Sequence, residues 1–131
     1  MRSTHGLLSL AILLTLTACA ARTGADAGGR LDLITFEELQ NRGQYSNLYA
    51  VIEVLRPRWL RPQGGPDTFS GPEGQVQVHM DGNWMGDVHV LRGLSPSGVT
   101  SITWLRPLDA SARYGLDHSH GAIVISTRPV H

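Results

Sequence analysis

A small α+β domain, one mixed sheet with short helices, is the fold this chain predicts, and three observations predict it. Residues 75–80 alternate apolar Val76, Val78 and Met80 with polar Gln75, Gln77 and His79, the period of a half-buried strand, and run into the tight-turn pair Asp81-Gly82. Residues 48–59 instead repeat apolar side chains at Leu48, Ile52, Leu55 and Trp59, the spacing of a helix with one buried face. Residues 122–127 (AIVIST) are almost continuously apolar, as a strand covered on both faces must be.

Taken in order, the folded part is expected from Leu31, with residues 31–34 as an opening strand. Thr35-Phe36-Glu37-Glu38 has the form of a capping box: the Thr35 hydroxyl accepts from the Glu38 amide and the Glu38 carboxylate reaches back. Ile34 and Leu39 stand where a hydrophobic staple would close over that cap, and Gly43 is placed to stop the helix. The adjacent acids Glu37 and Glu38 are thereby explained as helix-start residues facing the positive end of the dipole, without a catalytic role. Ser46 is the expected cap of the second helix, whose outward face carries Tyr49, Glu53 and Arg56. Pro57 removes an amide donor and restricts Arg56, so the regular helix should end there. Arg56, Arg58 and Arg61 then cluster at its C-terminal end, the favourable place for solvated positive charge. Residues 61–74 (RPQGGPDTFSGPEG) hold three prolines and four glycines, a density that forbids helix or inner strand and predicts an exposed loop.

After the Asp81-Gly82 turn, residues 83–86 return briefly and Asp87 caps a helical turn through Val88, Val90 and Leu91 that Gly93 ends. Ser95-Pro96 is a cap followed by proline at the first helical position, predicting a single turn. A strand is expected over residues 100–106, with Ile102 and Trp104 on one face. A small-residue helical turn follows over 109–114, stopped by Gly115, before the closing strand.

Ahead of the domain, Arg2 and the apolar run of residues 7–16 lead directly into Leu16-Thr17-Ala18-Cys19. A run of that length is a signal-peptide core, too short to span a bilayer. Leu-Thr-Ala-Cys resembles the bacterial lipobox, which implies that Cys19, the lone cysteine, is lipidated and begins the mature chain. Two or three acyl chains hold a protein to a membrane without a transmembrane helix. Ala20 after the cysteine implies, by the same resemblance, sorting to the outer membrane, lipid-anchored on its periplasmic face. The expected organisation is a signal peptide over residues 1–18, a Gly- and Ala-rich tether over 19–30, and one domain over 31–131. The 131 residues carry eleven basic side chains, all arginine, against eleven acids, a balance that gives no electrostatic case for a nucleic-acid partner.

The order of motifs in the second half resembles the plug domain of TonB-dependent outer-membrane receptors. The residues that carry the resemblance are His79-Met80-Asp81-Gly82, Leu94-Ser95-Pro96, Trp104-Leu105-Arg106-Pro107, Ala112-Arg113-Tyr114-Gly115 and Gly121-Ala122-Ile123-Val124. They stand where plugs carry a strand-ending turn, a proline-led helical turn, an arginine-proline corner, an alanine-tyrosine-glycine turn and a closing strand. The likeness extends in outline to the first half, through Leu33-Ile34-Thr35 and the helix of residues 49–55. It departs in three places: the corner lacks a glycine between Arg106 and Pro107, Gly121-Ala122 replaces a glycine pair, and no TonB box precedes the domain. With no room for a barrel, the resemblance implies a stand-alone, plug-like interaction module with an outer-membrane barrel or envelope protein as partner.

Two alternatives remain for function. His118-Ser119-His120 would place two imidazoles on one side of an extended segment, a spacing compatible with a transition metal, yet no further ligand stands at a recognised spacing. The expectation is a solvated loop with no metal and no cofactor; the alternative is a periplasmic small-ligand or metal-binding lipoprotein using that segment or the loop of residues 61–74. Neither a nucleophile elbow, a phosphate-binding glycine loop nor a metalloprotease pair is present, so no enzymatic activity is expected.

Overall fold

In the computed structural model, which describes residues 31–41, 44–63 and 74–129, the chain forms a five-stranded mixed sheet with several short helices, the α+β class expected. Cys19, the segments 1–18 and 19–30, Gly43 and most of the 61–74 loop lie outside the described residues. Strands β1 (Leu33–Thr35), β2 (Gln77–Met80), β3 (Asn83–Asp87), β4 (Ser101–Leu105) and β5 (Ala122–Ser126) take the order β1-β4-β5-β2-β3. All pairings are antiparallel except β2 with β5, whose parallel register sets Val78 beside Ile123 and Met80 beside Ile125. The apolar run of residues 122–127 thus lies at the centre of the sheet.

Helix α1 (Phe36–Asn41) starts as the capping box requires, with the Glu38 amide 3.3 Å from the Thr35 hydroxyl. The reciprocal arm is missing because the Glu38 carboxylate is taken by Arg56. Helix α2 (Leu48–Leu55) is capped by Asn47 and not by Ser46: Asn47 is extended, and its side-chain oxygen accepts from the Ala50 amide at 2.9 Å. Leu48, Val51 and Ile52 are fully buried, Leu55 packs at the margin, and Trp59 is buried from a 3-10 turn, Pro57–Leu60, that proline opens. These side chains meet Ile34, Val78, Ile102, Trp104, Ile123 and Ile125 from one face of the sheet, together with Val88 and Leu91 of a second 3-10 turn, Val88–Gly93, capped by Asp87.

Because side chains alternate along a strand, His79 projects to the opposite face from Val78. That face is not open to solvent. Helix α3 (Pro107–Tyr114) begins two residues earlier than the small-residue pattern suggested, with proline at its first position, and buries Ala110. Its last residue, Tyr114, stacks on His79 with ring centroids 3.8 Å apart. So β2 is covered on both faces, and the polar side of its alternation is buried where the sequence predicts solvent.

At the β2–β3 turn, Asp81 (φ 49°) and Gly82 (φ 89°) both adopt left-handed backbone, as a two-residue hairpin demands. The Asp81 carboxylate also accepts from the Thr127 amide and hydroxyl, tying the hairpin to the end of β5 and holding the carboxyl below its usual pKa.

Candidate functional site

Two clusters bring chemistry-bearing side chains together, one on each face of the sheet. The first is a histidine chain. His118 lies in a 3-10 turn, Leu116–His118, and Ser119 continues in helical conformation, so the segment is not extended and its two imidazoles do not share a side. Neither is solvated: His118 and His120 are 4% and 5% exposed. His118 is drawn inward toward His79, with the two Nε2 atoms 2.9 Å apart, and its Nδ1 lies 2.9 Å from the Asp117 carboxylate. His120 turns instead toward the Gln63 carbonyl, 3.3 Å from its Nδ1, and lies so close over Gly74 that a Cβ there would come within 1.8 Å of the ring.

The proton positions follow from the partners. Asp117 can only accept, so Nδ1 of His118 donates; neutral His118 then offers the lone pair of Nε2, and Nε2–H of His79 donates to it. This leaves His79 Nδ1 as a bare lone pair, which agrees with its having no partner. Burial pushes the His79 pKa down, helped by nearby His118 and Arg113 and opposed by Asp117. An Asp–His–His chain is able to pass a proton; here both rings are buried and Tyr114 covers His79. Among the described residues, no group of three or more His, Cys, Asp or Glu side chains is placed to hold a metal ion. The Tyr114 hydroxyl is also buried without a partner.

The second cluster is a pocket of about 460 Å³ at the end of the sheet where β4 finishes and β1 begins. Trp59 and Trp104 line it, stacked with centroids 6.2 Å apart and planes 15° from parallel. Trp104 fits there because Gly121, at φ 100°, carries no side chain: a Cβ would fall 2.3 Å from the indole ring. Arg56, Arg58, Arg106 and Asp32 also line the pocket. The arginine group at the end of α2 is therefore not simply solvated charge. Arg56 is a clamp: its guanidinium grips both Glu38 oxygens, at 3.0 and 3.2 Å, and donates to the carbonyls of Leu31, Leu33 and Leu55. Arg106 pairs with Asp32 at 2.8 Å. Arg58 makes no side-chain hydrogen bond or ion pair among the described residues.

The sequence points to Arg56, Arg58, His118 and His120, and misses Trp59–Trp104, Asp32–Arg106 and the His79–His118 contact. A usable signal exists for the last: Ala110 and Tyr114 are four apart on α3, a short buried stripe able to cover a strand's second face. No protein-family model, curated protein or solved structure matches this chain.

Proposed function

We propose that the protein is a non-enzymatic, plug-like interaction module of the outer membrane, anchored by acyl chains on Cys19, that docks an outer-membrane barrel protein through the edge of β3. The carrying observation is that β3 closes one side of the sheet and presents Trp84, 65% exposed, beside half-exposed Met85. Among the described residues no strand pairs with the outer side of β3; such an edge offers backbone donors and acceptors to an added strand, and a large aromatic beside it offers contact area. The motif resemblance to receptor plugs supplies the class of partner.

Two measurements test this reading in the full chain. Cys19→Ser is expected to move the protein to the soluble fraction; a variant that still sediments with membranes in high salt overturns lipid anchoring. A photo-crosslinking residue at Trp84 should form an adduct with a barrel protein, and one at exposed Leu108 on α3 should not. Equal yields at both positions, or a soluble partner at Trp84, would refute docking through β3.

A further inference from the structure

We infer that the Trp59–Trp104 pocket is a binding site for a small molecule with a flat apolar body and a single carboxylate. Its volume, about 460 Å³, is that of a small-molecule site, and two nearly parallel indoles are part of its lining, a surface that suits a flat apolar body. The charges around it nearly cancel in pairs. Arg56 is matched by Glu38 and Arg106 by Asp32, which leaves Arg58 as the surplus positive charge of the lining among the described residues. One guanidinium without a partner among the described residues matches one carboxylate, for which its planar fork has the right geometry. A dianion would meet too little positive charge, and a cation would be repelled by Arg58. The inference is independent of docking through β3, which lies at the other edge of the sheet from β1.

Four probes separate the parts of the argument: 2-naphthoate, neutral 2-naphthamide, 2-naphthyl phosphate and acetate, each titrated into the full chain by calorimetry. The expected result is saturable one-to-one binding of 2-naphthoate, about tenfold or more tighter than the amide, with no saturable binding of acetate. Arg58→Gln should erase the preference for the acid and leave amide binding and melting temperature unchanged, since the Arg58 side chain holds no other described residue in place. The indole N–H resonances of Trp59 and Trp104 should shift on titration, while that of Trp84, hydrogen-bonded to Gln77 on β2, should not. Failure of 2-naphthoate to saturate, equal affinity for acid and amide, or an unaltered preference in Arg58→Gln would each overturn the site. Tighter binding of the phosphate would overturn the carboxylate assignment.

Discussion

Gly121 shows how much one missing side chain can decide. Its positive φ and the Trp104 ring above it exclude any Cβ. Gly121→Ala is expected to cost about 2–4 kcal/mol, combining left-handed strain with overpacking, measured as a lowered urea midpoint. His79 makes a different prediction. Its folded-state pKa is lowered below the ordinary 6.5, so as pH falls through 6.5 the unfolded chain takes up a proton that the folded chain refuses. The stability that neutral His79 contributes is therefore present above 6.5 and is lost as pH falls toward the depressed value. His79→Phe keeps a ring stacked on Tyr114 and removes the titrating nitrogens, so its urea midpoint should fall less steeply than the parent's between about pH 7.5 and 5.5. An unchanged slope would mean that His79 titrates alike in both states.

Among the elements, the junction of β1, α1 and α2 depends on Arg56, and a contrast of two neighbours tests this. Arg56→Met strips partners from the Glu38 carboxylate and from three carbonyls, and should cost about 1–3 kcal/mol in denaturant unfolding. Arg58→Met, two residues on, should stay within about 0.5 kcal/mol. The same junction shows where sequence reading ends. Helix, strand and turn were legible at the Thr35 hydroxyl, Pro57, Asp81-Gly82 and the apolar run of β5, where the cause is local, although the equally local Asn47 cap and Pro107 start were missed. What escaped is what a distant partner decides. Glu38 has a local use in its capping box, yet a guanidinium eighteen positions away outcompetes it. The alternation of β2 marks His79 as outward, but whether that side meets water depends on α3, placed against it by residues thirty or so positions later. For the pocket, Trp59 and Trp104 each read as core, and their stacking joins residues far apart in the chain.

Across the whole molecule, Ile52 joins α2 to the sheet with no exposure at all. Ile52→Asp places an unpaired carboxylate in that core and should abolish the cooperative melt; a transition at the parental temperature would show the buried stripe to be misassigned. Amide exchange should be slowest in β5, which is bonded on both sides, and faster in the edge strands β1 and β3. The place of β5 has one more consequence. It alone joins β4 to β2, so before it arrives the chain owns two separate strand pairs, β1 with β4 and β2 with β3. Two-stranded pairs are marginal in water, and β5 is the last of the five to leave the ribosome. Such a chain cannot close its sheet while it is being made. If the chain is exported as proposed above, a secretion channel that threads only unfolded polypeptide would meet no closed sheet, and the sheet would close on the far side once its final strand has crossed.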